Sequence, residues 1–404
     1  MSSGLLYHGL GIRGYRHVRT RYEFGAVIVE IELPPEKRRC SQCGSDHVHS
    51  RGTTSRLFRG VPIGRKPVFI ELAVPRLYCW SCHAMRQPSL GFADPKKRYT
   101  RSFARYVLEL SQFMTLTDVA RHLGISWDTV KEIQRQRLET RYAKPKLKHL
   151  KQVAIDEISI GKGHRYVTVV LDLESGAIVF VGQGKGAKSL DPFWKRRRAS
   201  QAKIQAVATD LSAAYILAVR ENLPRATHVF DRFHVVKLLN EELSELRREL
   251  YHEATTKLER QVLKGTRWLL LKNPENLDDT RQERQRLQDA LELNASLAAA
   301  YYLKDDLRQF WEQPTRVAAD VFLDRWCARA EATGIRRLQK FAKTLQAHRQ
   351  GLLNWYLYPI STGPLEGTNT KIRALQRQSY GFRDPTFFQL KLYALHEAKH
   401  ALVG

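Results

Sequence analysis

The hydrophobic pattern of residues 153–231 predicts a sheet. Short runs of alternating apolar and polar residues are separated by turns that contain glycine, and two segments between them have helical spacing. The predicted elements are strands at 153–160, 166–171 and 177–181, a helix at 189–200, a strand at 204–210, a helix ending at Asn222 and a strand at 227–231. Turns at 161–163 and 174–176 are expected to join the first three strands into an antiparallel meander.

The order of these elements indicates how the strands are arranged. Three antiparallel strands followed by helix, strand, helix and strand is the order of an RNase H-like mixed sheet. In that topology the first and fourth strands are parallel neighbours, so Asp156 and Asp210 are expected to lie side by side. Glu157 is expected on the opposite face, because successive strand residues point in opposite directions.

A second pattern follows the sheet. Residues 235–358 are rich in Leu, Arg, Gln, Glu and Ala with helical periodicity, which predicts an all-helical insertion. Its tryptophans are more typical of a hydrophobic core than of platforms on which nucleobases stack. They are Trp268, Trp311, Trp326 and Trp355.

Two C-x-x-C pairs indicate a metal site near the N-terminus. Cys40 and Cys43 form one pair, Cys79 and Cys82 form the other, and four thiolates complete a structural tetrahedral zinc site. Alternating segments at 54–62 and 68–78 predict the short strands of a zinc ribbon. Since the gap between the pairs exceeds that of compact zinc fingers, nearby histidines remain possible substitute ligands. They are His47, His49 and His83.

The segment that begins at Thr117 predicts a helix-turn-helix. Gly124 marks the turn, and Ser126 is a candidate N-cap for a second helix that would enter the major groove; an ordinary helical hairpin is the alternative. A basic hinge follows, which either tracks the DNA backbone or is a solvated linker. The residues expected to contact DNA are Trp127, Asp128, Thr129, Lys131, Arg135, Arg137, Lys144, Lys146, Lys148, Lys371 and Arg373.

The charge balance supports an anionic partner. The chain carries a net charge of +26, and residues 1–150 hold 27 basic and 12 acidic side chains. Nucleic acid is the expected partner, with an acidic membrane surface as the alternative. No apolar run reaches 18 residues and the first residues lack the layout of a secretion signal, so we expect neither membrane insertion nor export. Paired cysteines fit metal binding in a reducing, cytoplasmic compartment.

Three acids occupy positions suited to metal chemistry. Asp156 lies within the first predicted strand and Asp210 ends the fourth. Glu366 follows Gly363 and Pro364, which fit the opening of a helix whose first turn could aim the carboxylate at the same ions. We interpret the trio as a site for magnesium or manganese.

The motifs around these acids resemble a known family. Segments 154–158, 208–212, 231–234 and 364–369 are similar to those of bacterial insertion-sequence DDE transposases of the ISL-three family, and the resemblance extends over nearly the whole chain. It implies that Asp156, Asp210 and Glu366 are the catalytic metal ligands. It also implies that other residues lie close to the active site, namely Asp231 and His234 of a C/D-x-x-H element and Asn369.

The expected fold is multidomain α+β. It comprises a zinc ribbon (1–95), a helix-turn-helix domain (96–148), an RNase H-like mixed α/β core (149–238 and 356–404) and an all-helical insertion (239–355). The expected function is DDE transposition: binding of the terminal inverted repeats, then magnesium-dependent cleavage and strand transfer into target DNA. We expect a homodimer in the synaptic complex and a bacterial cytoplasmic location, nucleoid-associated when bound to DNA. The alternatives are a DNA-binding regulator with an inert core and a structure-specific nuclease.

Overall fold

The computed structural model describes residues 4–161, 165–379 and 381–396. The chain divides into two compact units, of which the first contains residues 4–141 and the second contains most of residues 142–396. The first unit holds the predicted zinc ribbon and helix-turn-helix, and the second holds the predicted RNase H-like core and the helical insertion.

A five-stranded sheet forms most of the first unit. After a short helix α1 (Leu5–His8), its strands are β1 (Arg16–Glu23), β2 (Ala26–Glu32), β3 (Val48–Ile63), β4 (Lys66–Cys79) and β5 (Ala84–Arg86). The strand order is β1-β2-β4-β3, and β5 pairs with β4. One face is apolar, and Phe58, Ile70 and Leu72 are fully buried there.

The sheet differs from its prediction in two ways. The predicted short strands at 54–62 and 68–78 are parts of a long hairpin, because polar residues extend β3 back to Val48 while β4 continues to Cys79. Val48 pairs directly with Cys79, so the hairpin places Cys79 beside the start of β3, which follows the loop that carries Cys40 and Cys43. Strands β1 and β2 were not predicted.

Three helices complete the first unit: α2 (Arg101–Leu110), α3 (Leu116–Leu123) and α4 (Trp127–Tyr142). Gly124 ends α3 in the left-handed conformation (φ 61°), which glycine adopts without steric cost. The Ser126 hydroxyl accepts a hydrogen bond from the backbone N–H of Thr129 at 3.2 Å, which caps the start of α4. The predicted turn and second-helix start are therefore confirmed.

The second unit contains the predicted RNase H-like sheet. Its strands are β6 (Gln152–Gly161), β7 (Arg165–Asp172), β8 (Ile178–Gln183), β9 (Ala206–Thr209) and β10 (Thr227–Phe230). The order is β10-β9-β6-β7-β8, with β6 parallel to β9 and antiparallel to β7. This confirms the predicted neighbours. Part of the turn expected at 161–163 lies outside the described residues.

Helices α5 (Asp191–Ser200) and α6 (Ala213–Asn222) contribute to the core of this sheet. Buried Phe193 and Trp194 of α5 and Tyr215 of α6 share one apolar cluster with residues of β6 and β7. Burial of these aromatic side chains fixes the helices against the strands that carry Asp156 and Asp210.

The predicted insertion is helical throughout its described length. It contains α7 (Arg232–Glu253), α8 (Lys257–Gly265), α9 (Arg267–Leu271), α10 (Glu283–Leu293), α11 (Ala295–Leu307), α12 (Arg316–Ala332), α13 (Arg336–Ala347) and α14 (Arg349–Leu353). Trp311 and Trp326 are buried in its core, whereas Trp268 is 66% exposed. The boundary proposed at residue 239 falls inside the continuous helix α7, and the exact domain limits stay predictions.

Two helices follow the insertion, α15 (Gly363–Gln378) and α16 (Pro385–Ala394). The architecture is thus multidomain α+β, with a zinc-ribbon sheet, a helix-turn-helix and an RNase H-like core interrupted by helices. Among the described residues, no helix combines the length and apolar character needed to span a bilayer.

Gly351 provides a test of the packing between α14 and β10. A methyl group at this position would overlap the buried ring of Phe230. We expect Gly351→Ala to lower the free energy of unfolding by about 1–3 kcal/mol, the usual cost of overpacking. Gly367→Ala is the matched control, because its methyl group would meet no atom within 4 Å and alanine favours helix. Equal melting temperatures for the two variants would contradict this packing.

Candidate functional site

The four paired cysteines converge. Cys40 Sγ lies 3.9 Å from Cys82 Sγ, and Cys43 Sγ lies 3.6 Å from Cys79 Sγ. Thiolates around a tetrahedral zinc ion with Zn–S bonds of about 2.3 Å are separated by about 3.8 Å, so the spacing fits zinc. The ligand atoms of these four cysteines all lie within 4.8 Å of one another. Within the described residues, no other group of three or more His, Cys, Asp or Glu side chains meets this spacing. His47, His49 and His83 do not belong to the cysteine group.

Asp156 and Asp210 lie at corresponding levels of adjacent strands. Ala154 on β6 pairs with Ala208 on β9 at the end of their parallel register, and each acid lies two residues farther along the chain. Burial raises the pKa of both carboxyl groups, and the negative charge of Asp210 further raises the pKa of Asp156. The sheet therefore holds two acids where ionisation is unfavourable unless positive charge is near.

Glu157 has different neighbours from Asp156. Its Oε1 accepts hydrogen bonds from the Tyr215 hydroxyl at 2.6 Å and from the Gly186 N–H at 2.9 Å. This agrees with the alternation of side chains along a strand. Glu157 thus supports the fold behind the candidate site.

Asn369 connects helix α15 to the acids. Its Nδ2 donates a hydrogen bond to Asp156 Oδ2 at 3.0 Å, although 213 residues separate the two in the chain. The Asn369 Oδ1 is buried and has no hydrogen-bond partner in the described structure. A buried amide oxygen without a partner is costly, and a cation or water bound beside Asp156 would satisfy it.

Glu366 lies one helical turn before Asn369, and positions three residues apart share a helix face. Its side chain is exposed. In the described conformation the three carboxylates do not meet the 4.8 Å spacing that the cysteines meet. Two buried carboxylates repel a third, so the exposed orientation is the one that electrostatics favours.

Asp231 and His234 lie beside the acid pair. Asp231 precedes α7, and its carboxylate accepts a hydrogen bond from the Thr362 N–H at 3.0 Å and lies 3.1 Å from His234 Nδ1. Burial alone would raise the pKa of Asp231, but the hydrogen bonds from His234 and Thr362 lower it. The sequence pattern contained no indication of the Thr362 contact, because a backbone group makes it.

His234 interacts electrostatically with Asp156 and Asp210. Burial by itself would lower the pKa of His234. The hydrogen bond with Asp231 and the negative charges of Asp156, Asp231 and Asp210 raise it. Lys237, one turn farther along α7, also lowers the pKa of Asp210 by its charge. Lys237 was not predicted, although its spacing of three residues from His234 places both on one side of the helix.

The donor chemistry of this cluster fits magnesium or manganese. Carboxylate and amide oxygens are the ligands these hard cations prefer, and Asp156, Asp210, Glu366 and Asn369 supply only such oxygens. The unpartnered oxygen of Asn369 and the two buried acids are the features that a bound cation would stabilise.

The residues predicted to contact DNA lie mainly on the surface. Trp127 is 43% exposed, and the Lys131 ammonium lies 5.2 Å from the centre of its ring. Arg135 pairs with Glu139 at 3.7 Å. The exposed members of the predicted set are Trp127, Asp128, Arg137, Lys144, Lys146, Lys148, Lys371 and Arg373.

Comparison with known families gives three matches. Residues 153–392 match the ISL3 DDE profile described as "Transposase". Residues 88–138 match the "Helix-turn-helix domain of transposase family ISL3". Residues 36–82 match the "zinc-finger of transposase IS204/IS1001/IS1096/IS1165".

Named relatives cover nearly the whole chain. The transposase for insertion sequence element IS1001 of Bordetella parapertussis is 33% identical over 390 residues, 95% of this chain and 96% of the relative. The transposase for IS1557 of Mycobacterium tuberculosis is 30% identical over 86% of this chain and 83% of its own. Among solved structures, the Drosophila P element transposase strand transfer complex matches with a TM-score of 0.35 and 12% identity, over 64% of this chain and 79% of that one.

Removal of one cysteine tests the zinc site. The four-cysteine cluster and the zinc-finger match make this a structural zinc site. We expect Cys79→Ser to reduce the zinc content, measured by mass spectrometry, from about one ion per chain to nearly none and to destabilise the first unit. Cys327→Ser is the matched control, since Cys327 is also buried but lies outside the cluster. Unchanged zinc content in Cys79→Ser would contradict the assignment.

The pKa of His234 tests the Asp231 contact. We expect Asp231→Asn to lower this pKa toward or below the ordinary 6.5, because the variant removes a charge and weakens a hydrogen bond that raise it. NMR titration measures the shift, and His234→Gln identifies the resonance. In the wild type, the contribution of His234 to stability is present below pH 6.5 and is lost as the pH rises through the raised, folded pKa. An unchanged pKa in Asp231→Asn would exclude the contact.

Proposed function

Because this chain belongs to transposase family ISL3, it is a DNA transposase, and we propose that Asp156, Asp210 and Glu366 are its catalytic carboxylates. The observation that carries this proposal is the hydrogen bond between Asn369 and Asp156. It joins the helix that bears Glu366 to the strand that bears Asp156, beside the buried Asp210. The reaction is cleavage at the ends of the element and joining of those ends to target DNA.

Under this proposal the acids hold magnesium or manganese ions. When bound, such ions activate the attacking oxygen and stabilise the charge that develops on the scissile phosphate. Asp156 and Asp210 are fixed by the sheet, whereas the exposed Glu366 would complete the set by rotation of its side chain. Asn369 holds α15 in position and offers a fourth oxygen through Oδ1.

Asp231 and His234 act as positioning residues in this proposal. The Asp231 carboxylate keeps the imidazole oriented by its contact with Nδ1, and its bond to the Thr362 N–H ties the start of α7 to the segment before α15. The hydrogen bond with Asp231 and the neighbouring carboxylates raise the pKa of His234, which widens the pH range in which its imidazolium is present. That charge lowers the cost of ionising Asp156 and Asp210 and leaves a proton donor near the reacting phosphate.

The chain binds DNA, and we propose that helix α4 reads the terminal inverted repeats. Trp127, Asp128, Thr129 and Lys131 occupy its first turns, the positions that contact bases in helix-turn-helix proteins. Arg135, Arg137 and the lysines of the hinge are suited to phosphates. Lys371 and Arg373 on α15 would contact the DNA close to the acids.

We also propose that two copies of the chain assemble on two element ends. Each cluster of acids holds one reacting strand at a time, so coordinated joining of both ends requires two clusters. Since the substrate is chromosomal, the expected compartment is the bacterial cytoplasm, with the protein on the nucleoid while it is bound to DNA.

Separate substitutions of the acids test the catalytic proposal. We expect Asp156→Asn, Asp210→Asn and Glu366→Gln each to reduce cleavage of end DNA by at least about 100-fold, because each removes a metal-binding charge. Binding to the same DNA should persist within about threefold, since the helix-turn-helix is unaffected. Gel assays of cleavage and anisotropy measurements of binding, with and without magnesium, separate the two effects.

The conservative variant Glu174→Gln is the control, because Glu174 is an acid in the β7–β8 turn. Cleavage by Asp156→Asn at the normal rate would refute the assignment. Wild-type protein that binds ends without cutting them would be a regulator, and one that cuts branched DNA without the repeats would be a nuclease. The mass of the stalled Asp156→Asn complex with end DNA reports whether two copies assemble.

A further inference from the structure

A surface groove runs between α7 and α9 in the second unit. Its volume is about 320 Å³, within the usual size of ligand sites. The lining from α7 comes from one helical stripe, which includes Phe233, Val236, Lys237 and Asn240, and α9 contributes Arg267. The groove is thus built from ordered helices.

This groove begins at the candidate active site. Phe233 immediately precedes His234, and their ring centres are 5.5 Å apart. Lys237, at the same end, acts electrostatically on Asp210. The groove therefore lies along the same helix that carries His234 beside the acids.

The groove exposes aromatic surface beside cationic groups. Phe233 is 50% exposed although it is large and apolar, and Trp268, which follows Arg267 on α9 but does not line the groove, is 66% exposed. The Arg267 guanidinium lies 4.8 Å from the centre of the Trp268 ring. Within the described part of the chain, neither Lys237 nor Arg267 forms an ion pair, and Glu241 is the acid among the lining residues.

Asn240 adds a polar feature to the groove. Its Oδ1 is buried and lacks a hydrogen-bond partner in the described structure. An amide in this state becomes satisfied when a ligand or a small shift of the side chain brings a donor to it. An N–H group of a nucleobase, such as thymine N3–H, is such a donor.

We propose that this groove binds an unpaired nucleobase of the reacting DNA strand, with Phe233 stacking on the base and Lys237 and Arg267 contacting the flanking phosphates. Aromatic rings next to cations are the combination that binds single-stranded DNA. The inference rests on the proposed function in placing the reacting strand at the acids. A protein side chain inserted in the groove is the alternative occupant.

Binding to single-stranded DNA tests the proposal without catalysis. The full-length protein is mixed with a fluorescent oligo(dT) or with the same oligonucleotide carrying abasic sites, with no magnesium and with excess unlabelled duplex to occupy the helix-turn-helix. Phe233→Ala should weaken oligo(dT) binding at least about fivefold, the lower limit for loss of one stacked base. It should leave binding of the abasic oligonucleotide unchanged.

Further variants distinguish stacking from a general effect. Phe233→Trp should restore oligo(dT) binding, and Lys237→Gln should weaken both oligonucleotides. Leu258→Ala is the matched control, since Leu258 is an exposed apolar residue on α8 outside the groove, and it should change neither.

Two outcomes would overturn the proposal. In the first, the wild type and Phe233→Ala bind oligo(dT) equally well. In the second, Phe233→Ala loses as much affinity for the abasic oligonucleotide as for oligo(dT). The binding assay contains no magnesium and does not depend on cleavage. If the catalytic assignment failed, the result for oligonucleotide binding would therefore still hold. If the groove proposal failed, the cleavage results would still hold.

Discussion

The burial of two like charges on adjacent strands is the constraint that organises the second unit. The parallel pairing of β6 with β9 fixes Asp156 beside Asp210, and burial raises the pKa of both. The surrounding groups offset part of that cost: His234 and Lys237 bring positive charge, and Asn369 and backbone N–H groups donate hydrogen bonds. Under our proposal a divalent cation would offset the remaining cost, because its charge would stabilise both carboxylates.

Helix α7 links the groups around this acid pair. Asp231 at its start is bonded to Thr362 from a segment 131 residues later, while His234 and Lys237 follow along one side. The hydrogen bond from the Thr362 N–H to Asp231 and the hydrogen bond from Asn369 to Asp156 together hold α15 against the sheet from two directions. Two hydrogen bonds made by other residues thus help to position the helix that carries Glu366.

The sequence predicted two kinds of feature, namely motifs with a characteristic residue spacing and arrangements that follow topological rules. The strand order followed from the element order, because few connections are possible in a sheet with parallel neighbours. The cysteine spacing predicted the metal-binding thiols, and Gly124 marked the turn between helices. Strand β1 was missed because none of its residues is buried, and a strand that is solvated on both faces has no hydrophobic alternation. The polar first half of β3 was missed for the same reason, and the bond from Thr362 to Asp231 leaves no trace in side-chain identity.

Unlike the features that packing determines, the orientation of the Glu366 side chain depends on charge. Its backbone is fixed one turn from Asn369, but its carboxylate remains in solvent, where it avoids two buried acids. Ordering a glutamate side chain costs roughly 1.5–2 kcal/mol. A divalent cation held by Asp156 and Asp210 would neutralise their two charges and offer Glu366 a ligand position, which would offset this ordering cost. In our proposal, metal binding and completion of the carboxylate set are therefore a single event, with the fold supplying two acids and the cation recruiting the third.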